Sequence, residues 1–365
     1  MESNKEINDD FDKPTCTVEA TVVTGFELIA KEECEEKIGV GARTERGRIF
    51  FDVECKRVKE VSHLRGIDHI YLVVHRVNNF GFPQEKEELK DKLEKLAEEI
   101  YWTKGLEVWS YFTGFEKLSL KELINYHPAL NESSVSISST SEQEHGNCIP
   151  KFRVTCYRTG QNHNFTSMDA AAYFGGGIND RFHWKVDMKN HDIEIILNIE
   201  NDDLYVCIAL TKTSLHKRNL QHFGPTCLRA TVAYNILRLC EIKPGDIVCD
   251  PMCGGGSLPI EGVLSWPEAH HICGDNHDLA TPRTKQNLEA VNQEMKEIGK
   301  KRQVVDIFRW DATQLPIRDH FVDVFVTDLP FGRGLAPKQT IEFYIQKYWN
   351  KWLELLNWKW EEQFY

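Results

Sequence analysis

Apolar residues recur along this chain at two spacings, alternation and the helical repeat, and the switches between them mark its elements. Residues 16–23, "CTVEATVV", read as a strand, and "GFELIAKEECEEKIG" follows with helical spacing. "GRIFFDV" and "HIYLVVHRV" read as further strands. Strand, helix and strands in this order predict a small α+β module over 15–80. Residues 84–100, "QEKEELKDKLEKLAEEI", place Leu89, Leu93, Leu96 and Ile100 on one helical face.

Residues 131–147 are rich in Ser, Glu and Asn and read as a flexible insert. Structure resumes at "KFRVTCYRTG", a strand whose basic residues alternate outward. A helix over "SMDAAAYFGGGINDRF" is expected to start on Ser167 as N-cap, with Asp169 in its first turn. "EIILNIENDDLYVCIALT" reads as two strands joined at Asn201–Asp203. From 226 the pattern changes. "TCLRATVAYNILRLCEI" is a predicted helix with Leu228, Val232, Ile236 and Leu239 near its inner face. Apolar strands then alternate with helices: "IVCD", "EAHHICGD", "QVVDIFRWDA" and "FVDVFVTDLPFG" are the strands. That alternation predicts a parallel sheet covered on both faces.

A chain of 365 residues has room for two or three domains. We expect a disordered tail over 1–14 and a first domain over 15–80. A second follows over 81–223, with its insert at 131–149, then an α/β domain over 224–334 and a divergent helix over 335–365. No apolar run is long enough for a transmembrane helix. The acidic start, "MESNKEINDDFDK", lacks the basic and apolar regions of a signal peptide. A cytoplasmic protein with no membrane partner is expected. The eleven cysteines contain no C-x-x-C pair, so neither a zinc knuckle nor a disulfide framework is expected. Cys249, Cys253 and Cys273, near His270 and His271, form the densest group. Cysteines on buried strands behave as small apolar residues, and we expect no metal there. The net charge of −12 argues mildly against a polyanionic partner. Charge is uneven, however: residues 151–229 hold ten Lys/Arg against eight Asp/Glu.

The chemistry gathers after the first strand of the α/β domain, in "DPMCGGGSLPIEG", residues 250–262. A strand-to-helix turn at the carboxyl end of a parallel sheet is a ligand site. Glycines let the ligand approach the backbone, and the helix start offers free N–H groups. No Lys follows the glycines, which excludes a nucleoside-triphosphate loop. The dinucleotide fingerprint fails at Pro259, where its last glycine would stand. S-adenosylmethionine fits better. It carries an ammonium and a sulfonium but no phosphate, and Asp250 at the strand end suits those charges. Asp275 ends the next strand and would take ribose hydroxyls. Asp311 follows the third strand, where it would accept from the adenine amine. Pro251, Cys253, Gly254, Gly256 and Ala312 complete the expected cofactor set. "DLPF", Asp328 to Phe331, ends the fourth strand. An exocyclic base amine is a poor nucleophile because its lone pair is conjugated with the ring. Asp328 and a backbone carbonyl beside Pro330 would accept its hydrogens and localise the pair. Phe331 would stack on the base.

These motifs, with "FRVTCYRTGQNHNFTSMDAAAYFGGGI" and "LTKTSLHKRNL" upstream, resemble the THUMP-domain-containing tRNA guanine-N2 methyltransferases. The resemblance reaches to about Gly332. It implies a ferredoxin-like domain, a THUMP domain and a Rossmann-like class I methyltransferase domain. It also implies methylation of a guanine amine in the tRNA acceptor stem. The THUMP domain would grip the tRNA 3′ end, with Arg153, Arg158, Lys217 and Arg218 as phosphate contacts. A small zinc-binding activator protein is the implied partner. Two departures stand out. Leu329 replaces the first proline of the usual four-residue motif. After Gly332 the family continues through three more strands, whereas the last 33 residues here read as one amphipathic helix. Tyr344, Tyr348, Trp352 and Leu355 line its face. The expected domain is thus an incomplete Rossmann-like sheet. Two alternatives remain open: a tRNA-binding module with impaired catalysis, or amine methylation of DNA adenine or protein glutamine.

Overall fold

The structure, a computed structural model, describes residues 15–116, 118–125, 149–161, 163–224 and 227–329, with Trp352 and Leu355. Two compact units divide the chain. One comprises Met1–Leu64 and His69–Ser214; the other comprises Arg65–Asp68 and Leu215–Tyr365.

In the first unit, eight strands form one sheet in the order β2-β3-β1-β4-β8-β7-β5-β6. β1 (Thr15–Thr21), α1 (Glu27–Lys37), β2 (Ala42–Glu45) and β3 (Arg48–Glu54) lead to a 3₁₀ segment, Cys55–His63, and then β4 (His69–Val77). The order β4-β1-β3-β2 is the ferredoxin-like arrangement, with the 3₁₀ segment in place of a second helix. β4 also pairs with β8 (Asp203–Ala209), antiparallel, so the sheet runs on without a break across residue 80. β7 (Ile193–Glu200), β5 (Lys151–Thr159) and β6 (Lys185–Val186) complete it.

Among the described residues, the helices α2 (Lys86–Glu99), α3 (Thr103–Thr113), α4 (Leu120–Asn125) and α5 (Ser167–Phe182) accompany these later strands. The predicted face of α2 is the buried one: Leu89, Leu93, Leu96 and Ile100 are all inside. α5 begins one residue from its predicted cap. Thr166, not Ser167, is the N-cap. Its hydroxyl accepts from the Asp169 N–H at 3.1 Å, and the Asp169 carboxylate accepts from the Thr166 N–H at 2.9 Å. This reciprocal pair needs the acid three residues after the cap, which only Thr166 satisfies. The glycine triplet at 175–177 lies inside α5 and serves packing. A Cβ on Gly177 would stand 2.3 Å from the Glu94 carbonyl oxygen, so α2 and α5 touch backbone to backbone.

In the second unit, four parallel strands run in the order β11-β10-β9-β12. They are β9 (Ile247–Asp250), β10 (His270–Asp275), β11 (Asp306–Arg309) and β12 (Val324–Phe325). Order reverses between β9 and β12, the switch point at which such sheets bind ligands. Both faces are covered, as alternation along β9 shows: Val248 packs with Ala233, Leu237 and Leu258, while Cys249 packs with Ile272, Trp310 and Val322. α6 (Ala230–Leu239) and α7 (Ser257–Ser265) cover the Val248 face, and α8 (Ala280–Glu297) follows β10.

The inner face of α6 differs from the one predicted. Leu239 is exposed and Val232 only half-buried, while Ala233, Tyr234 and Leu237 are inside. Thr231 and Asn235 are buried too, because α6 carries a second covered side. The Thr231 hydroxyl donates to Asp68 at 2.6 Å, and Asn235 donates to the Gly66 carbonyl at 2.9 Å. Sequence distance hid this contact, since Gly66 and Asp68 lie far upstream. Of the final stretch, Trp352 and Leu355 are described, and both are buried in the Cys249 cluster. The Trp352 indole stacks on Phe325, with centroids 5.7 Å apart, and donates to the Ala312 carbonyl at 3.2 Å. Among the described residues no helix is long and apolar enough to cross a membrane.

Candidate active site

Asp250 is the last residue of β9, and the chain then turns through 251–256 into α7. Gly254 and Gly256 adopt left-handed φ values of +53° and +88°, which side chains resist. Their surroundings differ. A Cβ on Gly256 would press on Thr284 Cγ2 at 2.7 Å, whereas one on Gly254 would meet nothing within 4 Å. Gly256 thus faces protein, and Gly254 faces open space.

Four side chains fix this turn. Asp275 Oδ2 accepts from the Gly254 N–H at 3.0 Å. The Thr284 hydroxyl donates to the Gly254 carbonyl at 3.1 Å, and the Asn287 amide donates to the Gly255 carbonyl at 2.9 Å. The Trp310 indole donates to the Pro251 carbonyl at 3.0 Å. Cys253 turns inward, its N–H donating to the Gly274 carbonyl at 2.9 Å. The sequence reading missed Thr284, Asn287 and Trp310. Fully buried Thr and Asn inside a helix are the signal, but their burial shows only in the fold.

The acids gather at the carboxyl ends of neighbouring strands. Asp250 is buried, and desolvation pushes its carboxyl up to about 7. The negative charges of Asp275 and Asp328 push in the same direction, while the Thr327 hydroxyl and the Met252 N–H pull it down. Met252 N–H donates to Asp250 Oδ1 at 3.1 Å. Asp328 stands three residues past β12. It is exposed enough to reach a substrate, yet partial burial still raises its carboxyl. Leu329 packs against the Trp310 and Val322 cluster, an apolar role in place of the proline. Pro330 and Phe331 lie outside the described residues.

Asp311 stands two residues past β11 and folds back on its own turn. Its Oδ1 accepts from the Thr313 N–H and hydroxyl, both at 2.8 Å. It is exposed, and Ala312 beside it is buried. Cys249 and Cys273 are buried with their thiols pushed well above the ordinary value, Cys249 by desolvation and Cys273 first by a hydrogen bond with Cys253 and then by desolvation. Among the described residues no group of His, Cys, Asp and Glu is arranged to hold a metal.

Of the four basic candidates, Arg153 and Arg158 lie in the first unit and do not share a patch. Arg153 and Arg158 are five apart on β5, so they point to opposite faces of the sheet. Arg153 pairs with Glu194 at 2.9 Å. Arg158 lies over the Phe165 ring and contacts His163 Nδ1 at 3.0 Å. Arg218, in the other unit, donates to the carbonyls of Leu215 at 2.8 Å, Arg65 at 3.3 Å and Ile67 at 3.4 Å. Lys217 is exposed. A cleft of about 670 Å³ in the first unit, which the sequence did not signal, carries Arg43, Arg76 and Lys104 beside Phe50 and Tyr101.

The chain is similar to known proteins. Residues 217–354 match the family described as RMKL-like, methyltransferase domain, and residues 135–209 match the THUMP domain. The chain is 37% identical to the tRNA (guanine(6)-N(2))-methyltransferase THUMP3 of Mus musculus and 38% identical to that of Homo sapiens. Each match covers 88% of this chain and 75% of the relative. The fold is also that of TrmN from Thermus thermophilus, with a TM-score of 0.65 at 21% identity, over 93% of this chain and 85% of that one.

Proposed function

This chain belongs to the family of THUMP-domain tRNA (guanine-N2)-methyltransferases, and from that premise we propose that it methylates the exocyclic N2 amine of a guanine in the tRNA acceptor stem. One observation carries the reading. Asp250, Asp275 and Asp328 stand at the carboxyl ends of adjacent parallel strands, beside a glycine turn with an open side. S-adenosylmethionine, when bound, supplies an electrophilic methyl group. The donor set fits it: the open side of Gly254 admits a ligand against the backbone, and the desolvated Asp250 gains most from a cationic neighbour.

Roles for the residues follow from chemistry. Asp250 faces the cofactor's positive charges, and Asp275 uses the lone pairs its backbone contacts leave free on the ribose hydroxyls. Pro251, Cys253, Gly254 and Gly256 shape the turn. Asp311 and Ala312 border the adenine side. Asp328, ionised, would accept a hydrogen from the guanine amine, localise its lone pair and take up its proton as the new N–C bond forms and the methyl C–S bond breaks, the electron pair leaving with S-adenosylhomocysteine. A backbone carbonyl beside Pro330 takes the second amine hydrogen, and Phe331 stacks on the base. Lys217 and the cationic cleft of Arg43, Arg76 and Lys104 support contact with RNA phosphates. Arg153 and Arg158 join them only if RNA displaces their present partners. Arg218 serves the fold first. A cytoplasmic enzyme working with a small zinc-binding activator completes the proposal, and the free thiols among the described residues suit a reducing compartment.

The test is transfer of labelled methyl from S-adenosylmethionine to bulk tRNA, with the activator present. Incorporation that is lost in Asp328→Ala supports the assignment. Sound tRNA affinity without incorporation would reduce the chain to an RNA-binding module.

A further inference from the structure

Asn219 is a non-glycine residue in the left-handed region, at φ +72°, and it sits among buried charges. Glu261, on the second turn of α7, is 1% exposed. Its carboxylate accepts from Arg65 through two guanidinium nitrogens, one at 2.8 Å, from the Asn219 amide, and from the Ser265 hydroxyl at 3.1 Å. Arg65 also donates to Asn219 Oδ1 at 3.3 Å. Every strong acceptor direction of Glu261 is thus occupied, as a buried carboxylate requires.

The turn at Asn219 has a consequence two residues on. The N–H groups of Gln221 and His222 both donate to Asn287 Oδ1, at 3.0 and 2.8 Å. Asn287 in turn donates to the His222 carbonyl at 3.0 Å and to the Gly255 carbonyl at 2.9 Å. Gly255 is the middle glycine of the candidate cofactor turn. A continuous path of hydrogen bonds and two short backbone steps therefore leads from Arg65 through Glu261, Asn219 and Asn287 to Gly255. Neither Arg65 nor Asn219 belongs to the turn or to its helix.

We propose that Asn219, held left-handed by the Arg65–Glu261 pair, is a positioning residue for the cofactor turn, acting through Asn287. The inference rests on the cofactor reading above. The Asn219 amide aims the 221–222 backbone at Asn287, and Asn287 sets where the Gly255 carbonyl lies. Loss of the amide loosens residues 220–222, where Leu220 packs on Ile260 and Val291, and leaves the strands untouched.

Binding of S-adenosylhomocysteine to the full chain, measured by calorimetry, tests this. Asn219→Gly keeps the left-handed backbone without strain and removes only the amide. Its affinity should fall roughly tenfold, the equivalent of one good hydrogen bond, and the unfolding midpoint should fall only modestly, because Glu261 keeps Arg65 and Ser265. In turnover, KM for S-adenosylmethionine should rise while kcat holds. Since Arg65→Ala strands a buried carboxylate and threatens folding, the double change Arg65→Met with Glu261→Met is the second variant. It should fold and show the same loss of affinity. Wild-type affinity in Asn219→Gly overturns the positioning role alone. A lower unfolding midpoint with unchanged affinity does so too, marking a purely structural residue. Absence of binding by the unaltered chain overturns the cofactor reading together with this one.

Discussion

Asp275 accepts two backbone N–H groups, Gly254 on one carboxylate oxygen at 3.0 Å and His277 on the other at 2.8 Å. A single acid at the end of β10 thereby ties the glycine turn to the start of the following segment. Asp275→Ala releases both amides and should cost about 2 kcal/mol of stability, the scale of hydrogen bonds to a charged group. Denaturant titration measures that loss. The same variant should bind S-adenosylhomocysteine more weakly. Unchanged affinity would show that Asp275 serves only the turn.

Asp328 lies outside the β9–β10 hydrogen bonds that shape the turn. Asp328→Ala should abolish methyl transfer yet leave cofactor affinity within a factor of about two. Asp328→Asn keeps an acceptor oxygen but cannot take the proton, so it should retain only slow turnover. Substantial activity in the alanine variant would remove Asp328 from the chemistry.

The raised carboxyl of Asp250 predicts two opposite pH effects. A buried acid near 7 keeps its proton when folded at pH values where the unfolded chain, near 3.8, has lost it. The folded state then holds more protons, so this group makes the free protein less stable as pH rises from about 4 to 7. A cationic ligand favours the ionised form, so cofactor affinity should rise with pH through about 7, with proton release on binding. Calorimetry in buffers of different ionisation enthalpy counts that proton. A flat affinity profile that stays flat in Asp250→Asn would contradict the assignment.

Two glycines of one turn should respond differently to alanine. Gly256→Ala combines a φ of +88° with a Cβ 2.7 Å from Thr284 and should destabilise by about 3 kcal/mol. Gly254→Ala meets no protein atom within 4 Å, so only the left-handed backbone resists it, at about 1 kcal/mol. Its larger effect should be on cofactor affinity, because the methyl group enters the open side. Thermal unfolding and calorimetry on the two variants separate these effects.

Trp352 stacks on Phe325 and bonds to the Ala312 carbonyl, so it links β12 to the loop after β11. Trp352→Ala should cost about 3–5 kcal/mol by leaving a large cavity. A stability change below about 1 kcal/mol would show that the indole does not hold this core.

Local signals in the sequence determined much of this molecule. Alternating apolar residues marked the strands, the 3.6-residue repeat placed the buried leucines of α2, and glycines next to an acid at a strand end marked the turn between β9 and α7. Each depends on residues close together in the chain, where geometry follows from backbone period and side-chain size. The tertiary structure decided whatever depends on distant partners. Two glycine triplets look alike in the sequence. Yet 175–177 admits a neighbouring helix, while in 254–256 Gly256 packs against Thr284 and Gly254 alone faces open space. α6 buries Thr231 and Asn235 because Gly66 and Asp68 come to lie against it, and no spacing within the helix records that. Arg153 and Arg158 looked like surface cations until the fold supplied Glu194 and Phe165. Asn287 looked like an ordinary helical polar residue until burial tied it to Gly255. A buried polar group is defined by the partner that satisfies it, and that partner is chosen by the fold rather than by its neighbours in the chain.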